Sequence, residues 1–126
     1  MKKRVEFINT TQPDITVSIH QNSYEGESIH GAQAFYYGTS GEGKIAAEIM
    51  QKQLIQTLDK ENKREAKNNN SYYLLKKTET PIIIVECGFL SNYREAELLS
   101  TPEYQEKVAW AIHLGILKYL NSKKAD

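Results

Sequence analysis

Residues 80–92, "TPIIIVECGFLSN", decide the fold. Ile82, Ile83, Ile84 and Val85 form an unbroken β-branched run behind Pro81. Such side chains favour an extended backbone, and a run without polar alternation belongs to a strand covered on both faces. The run ends in Glu86, followed by Cys87 and Gly88. Where helices cover both faces of an open sheet, ligands sit off the carboxyl ends of the strands. Glu86 therefore stands where the strand leaves the core and meets a cleft.

Working outward, Asn92 followed by Glu95 reads as a capping box for a short helix over 93–99. Thr101-Pro102 opens the last helix, with proline at its first position. Val108, Ile112, Ile116 and Leu120 recur along that helix, joined by Ala111 and Gly115, so it needs an apolar surface over its whole length. Upstream, "SYYLLKK" (71–77) reads as a strand, and "KENKREAKNNN" (60–70) as a charged connection with no core pattern. Ala47, Met50, Leu54 and Leu58 lie on one face of a helix from Lys44 to about Lys60. "QAFYY" (33–37) and "ITVSIH" (15–20) read as strands, with a polar loop over 21–32 between them. "VEFINTTQ" ends a helix broken by Pro13-Asp14. Strands alternate with helices, which gives an α/β class: an open, mostly parallel sheet with helices on both faces, in one domain over 1–126.

Bulk properties narrow the partners. Hydrophobic residues make up 40% of the 126, charged residues 25%, and the net charge is zero. Nothing in that balance calls for nucleic acid. No apolar run approaches the ~20 residues of a membrane helix, and no signal peptide is visible at the basic start. The single cysteine excludes an internal disulfide.

Few residues carry chemistry. A carboxylate at the end of a buried strand has a raised pKa unless paired, which suits a general acid/base. Position alone leaves open that Glu86 caps a loop or pairs with a lysine. His20 ends another strand, where a neutral imidazole serves as a zinc ligand or bonds a backbone carbonyl within the core. His30 falls in a polar loop, and His113 lies beside the apolar face of the last helix. A Cys87 nucleophile with His20 as base is a thiol-hydrolase alternative, but consecutive strand residues face opposite ways, so Cys87 and Glu86 do not share a cleft. Arg64 and Lys67 offer charge to an anionic ligand, or simply a solvated run. Tyr24, Tyr36, Tyr37, Tyr72 and Tyr73 are divided between core and surface by strand alternation.

Three segments carry a family resemblance. "DITVSIHQNS" resembles the strand-plus-histidine motif of the zinc-dependent N-acetylmuramoyl-L-alanine amidases, the amidase-3 family. "TPIIIVECGFLSN" resembles that family's catalytic-glutamate motif, and "TPEYQEKVAWAIHLGILKYL" its closing helix. "GAQAFYY", "NKREAK" and "YYLLKKTETP" look most like the germination-type, CwlD-like spore cortex amidases. The resemblance implies that His20 is a zinc ligand and Glu86 the catalytic carboxylate. It also points to Asn22, Arg64 and Gly88 as substrate-binding residues. The reaction implied is hydrolysis of the amide joining N-acetylmuramic acid to the L-alanine of the stem peptide, in the cell envelope, outside the cell or in the spore cortex.

The family's first zinc ligands, a histidine in a Gly-His-Gly-Gly loop and a glutamate on the next helix, precede the counterpart of "RVEFIN". The chain thus resembles the C-terminal portion of an amidase domain, with two further ligands expected upstream. Alone, it is expected to be inactive or poorly metallated. A non-catalytic partner or binding module is the alternative. Open sheet edges and the apolar row of the last helix lead to an expected homo-dimer or chain exchange.

Overall fold

The computed structural model describes residues 1–22 and 28–124, the side chain of Asn22 excepted. Tyr24 and much of the 21–32 loop lie outside the described residues.

The elements run α1 (Lys2–Thr11), β1 (Thr16–Asn22), β2 (Gln33–Tyr36), α2 (Gly41–Leu58), β3 (Lys67–Asn68), α3 (Tyr73–Lys77), β4 (Ile82–Phe89), α4 (Tyr93–Leu99) and α5 (Pro102–Lys124). The four strands form one mixed sheet in the order β1-β4-β2-β3. β1 pairs β4 and β2 pairs β3 in parallel, while β2 pairs β4 antiparallel. β4 is central and buried at every position, as its unbroken apolar run demands.

Alternation along β4 divides the core into two layers. Ile83, Val85 and Cys87 pack with Ala47, Met50 and Leu54 of α2 and Val108, Ala111 and Ile112 of α5. Ile82 and Ile84 pack on the other side with Val5 of α1 and Leu74 and Leu75 of α3. The apolar row of α5 is thus covered by α2 within the same chain, not across an interface as its length suggested. Gly115 permits the approach: a Cβ there would meet Met50 Sδ at 2.5 Å.

Residues 71–77 form helix α3 rather than a strand. Leu74 and Leu75 are adjacent and both packed into the same core layer, which strand alternation forbids and a helix against the sheet allows. The turn into α3 is set by Asn69, whose Oδ1 accepts hydrogen bonds from Ser71 N (2.9 Å) and Tyr72 N (3.1 Å). The connection read as patternless also holds the short edge strand β3, paired to β2. Among the described residues no helix is long and apolar enough to cross a membrane.

Candidate active site

The site is a row across the sheet at the carboxyl ends of β1 and β4. His20 on β1 is the register partner of Glu86 on β4, and Gln33 on β2 is the partner of Glu86 from the other side. Directly opposed residues in a ladder point to the same face, so the three side chains share one surface. It is the face that carries α1 and α3 further along the strands.

Glu86 is only 1% exposed, and its Oε2 is buried with no hydrogen-bond partner among the described residues. Burial without compensation disfavours the charged form, so the carboxyl is held above its ordinary value. His20 is half-buried, with Nε2 2.8 Å from Ser18 Oγ on the same strand face. The Tyr72 ring lies beside it, centroids 6.4 Å apart. Burial, with the negative charge of Glu86 added, raises the Tyr72 phenol. Tyr72 therefore borders both groups. Its sequence signal was weak, because the reading of 71–77 as a strand hid its place at the start of a helix.

β4 bulges beyond Glu86. Two steps along β1, from His20 to Asn22, match three along β4, from Glu86 to Phe89. A bulge re-aims side chains next to a site. Here the Phe89 ring comes under the guanidinium of Arg64, 5.0 Å from its centroid. Arg64 also donates from Nε to His30 O (2.7 Å) and from NH1 to Gln33 Oε1 (3.0 Å). It is an anchored, half-buried side chain rather than part of a solvated run; Lys67 remains exposed. Gln33 itself had no signal in the sequence, since only strand pairing sets it beside Glu86.

Gly88 lies at the bulge but turns toward α4, where a Cβ would crowd Leu99 Cδ1 at 3.1 Å and Glu95 Oε1 at 3.3 Å. Cys87 faces the α2–α5 layer, away from Glu86 and His20. Burial and the charge of Glu86 push its thiol up to about 11. A thiol so far from ionisation, on the wrong face, does not suit a nucleophile. His30 is exposed, and His113 is exposed against Trp110.

Among the described residues no three His, Cys, Asp or Glu side chains gather as a metal cluster. A half-buried imidazole beside a buried carboxylate with an orphaned oxygen nevertheless suits one ligand and one proton carrier of a zinc hydrolase.

Over residues 1–118 the chain matches the family described as N-acetylmuramoyl-L-alanine amidase. It is 39% identical over 123 residues to the germination-specific N-acetylmuramoyl-L-alanine amidase of Bacillus subtilis (strain 168), covering 98% of this chain and 52% of that protein. It is 36% identical to a cell wall amidase of Bacillus anthracis, over 96% of this chain and 24% of the relative. Among solved structures, the CwlD amidase from Clostridioides difficile, in complex with the GerS lipoprotein, superposes with a TM-score of 0.93. It shares 43% identity and covers 96% of this chain and 61% of its own. The chain therefore spans about half the length of the germination-specific relative.

Proposed function

Since the chain belongs to the N-acetylmuramoyl-L-alanine amidase family, we propose that it supplies the proton-transfer half of a zinc amidase centre acting on peptidoglycan. The observation that carries this is the buried, uncompensated carboxylate of Glu86 set in register with His20 at the strand ends. The bond cut is the amide between N-acetylmuramic acid and L-alanine of the stem peptide.

His20 would hold the metal, with two further ligands supplied by polypeptide upstream of these residues. Zinc, when bound, supplies Lewis acidity at the scissile carbonyl and lowers the pKa of water. Glu86 takes a proton from the attacking water and delivers it to the leaving amine. Its raised pKa suits both transfers, because the group must hold the proton between them. Arg64, fixed by His30, Gln33 and Phe89, presents a planar cation beside the row and is assigned to a carboxylate of the stem peptide. Asn22 and the Gly88 backbone are assigned to the same substrate groove.

The cell wall and germination-specific names of the relatives support a site of action in the envelope, and the spore cortex is the specific site proposed. A solved relative is bound to a lipoprotein, and a protein partner of that class is proposed here. Among the described residues β1 is an edge strand, with Ile19 60% and Phe7 71% exposed nearby, and that edge is where a further strand would add, from other polypeptide of the same protein or from a second copy.

The test is the identity of the product. The chain extended by the family's ligand-bearing segment, incubated with purified peptidoglycan, is expected to release stem peptides with a free L-alanine amino terminus. Mass spectrometry reads this directly. Fragments cut only in the glycan, or only within the peptide, would refute the assignment.

A further inference from the structure

A cavity of about 320 Å³ opens between the end of α2, the start of α4 and the start of α5. That volume suits a small ligand or one residue of a larger one. Its walls include Asp59 and Asn62 beyond α2, Arg94 and Glu95 of α4, and Tyr104 of α5. Two of these are fixed. Glu95 accepts from Phe89 N and Gly31 N, and Asn62 Nδ2 donates to Ala32 O at 2.9 Å. The others keep capacity for a ligand. Among the described residues no hydrogen bond or ion pair engages the Arg94 guanidinium or the Tyr104 hydroxyl. Asp59 Oδ1 accepts from Glu61 N at 3.0 Å, which leaves Oδ2. Burial raises the Tyr104 phenol, and the charges of Glu95 and Asp59 raise it further, against Arg94. Charges of both signs therefore converge on one neutral hydroxyl. The cavity also connects to the candidate active site. A second opening, lined by His30, Asn62 and Arg64, shares its first two residues with the cavity. Gly31, on the cavity wall, is two residues before Gln33 and so at most about 7 Å from it along the chain.

We propose that this cavity is a specificity subsite for an amino-acid end that carries both an ammonium and a carboxylate, as the side chain of a diaminodicarboxylic residue in a stem peptide does. The ammonium faces the carboxylates of Asp59 and Glu95 and donates to the Tyr104 hydroxyl oxygen. The carboxylate takes the planar fork of Arg94. A lysine side chain brings the ammonium alone and leaves Arg94 unmatched. The order along the groove follows the peptide: the scissile amide at the Glu86 row, a carboxylate at Arg64, then the diamino residue. The inference rests on the peptidoglycan reading, and it adds which stem peptide the site selects.

The experiment titrates the metal-free chain, labelled with nitrogen-15, with two tripeptides and reads amide shifts. One is L-alanyl-γ-D-glutamyl-meso-diaminopimelate, the other L-alanyl-γ-D-glutamyl-L-lysine. The first is expected to move the amides of Gly31, Arg94 and Tyr104. It is expected to bind about 10- to 100-fold tighter than the second, the scale of one charge-assisted hydrogen bond. Arg94 is exposed, so Arg94→Ala is expected to fold and to erase that difference. Arg94→Lys is expected to restore part of it, and Asp59→Asn to weaken both peptides alike. Equal affinities in the unsubstituted chain overturn the proposal, whatever the variants do. So does a preference that survives Arg94→Ala, or stillness of those three amides at millimolar peptide. An Arg94-dependent preference without release of stem peptides by the extended chain would keep the subsite and remove the amidase reading. Release without any preference would do the reverse.

Discussion

Glu86→Gln is expected to lower peptidoglycan cleavage by ~10²–10⁴-fold, the usual contribution of a positioned acid/base. The measurement uses the chain extended by the family's ligand-bearing segment. Gln preserves shape and cannot carry the proton from water to the leaving amine. Glu86 is not assigned as a ligand, so zinc content is expected to stay that of the parent. The two readouts together separate proton transfer from metal loss. Turnover near that of the parent would remove Glu86 from the reaction, whereas loss of zinc with activity would make it a ligand instead.

Glu95→Ala is expected to cost about 2–3 kcal/mol of stability. Glu95 Oε1 accepts from Phe89 N (2.9 Å) and Oε2 from Gly31 N (2.8 Å). Each hydrogen bond to a charged acceptor is worth about 1.5–3 kcal/mol, and water competes at a half-buried site, so less than the full pair is lost. Gly31 and Phe89 are themselves buried, and alanine leaves both N–H groups without this acceptor. The carboxylate therefore ties the segment before β2 to the end of β4, the same wall that carries His30 and Arg64. Urea unfolding with an unchanged m-value would register the loss as stability alone. Glu95→Gln keeps one acceptor and should fall between. An alanine variant as stable as the parent would show that this clamp contributes little.

Glu95 also marks a limit of reading sequence. Asn92 and Glu95 do begin a helix, and Asn92 Oδ1 accepts from Glu95 N at 3.0 Å. The Glu95 carboxylate instead accepts from Phe89 N and from Gly31 N, the latter 64 positions away. A local motif fixes the local turn, but a side chain's partner is decided by tertiary approach. The same distinction explains the rest. β4, α2, α4 and α5 were legible because β-branched runs, caps and apolar periodicity act over a few residues. Residues 71–77 were misread because two aromatics and two leucines suit a strand as well as a helix, and only packing of both leucines on one layer decides. His20 and Glu86 were legible as strand-end groups. Gln33, Tyr72 and the anchored state of Arg64 were not, because pairing β2 against β4 brings them there from distant parts of the chain.

Glu86 is buried and, among the described residues, unpaired, and this can be measured on the metal-free chain by thermal unfolding against pH. A carboxyl whose folded pKa lies above its unfolded one binds more protons in the folded state, so its contribution falls as pH rises from the ordinary value of 4.5 through the folded value. Gln has no such titration. Melting temperatures of the parent and Glu86→Gln, compared from about pH 4 to pH 8, are expected to diverge, the variant melting higher at neutral pH and the gap shrinking as acid protonates Glu86. Parallel curves, or a parent that is the more stable at neutral pH, would mean that the carboxylate is compensated in the fold and would contradict the site described here.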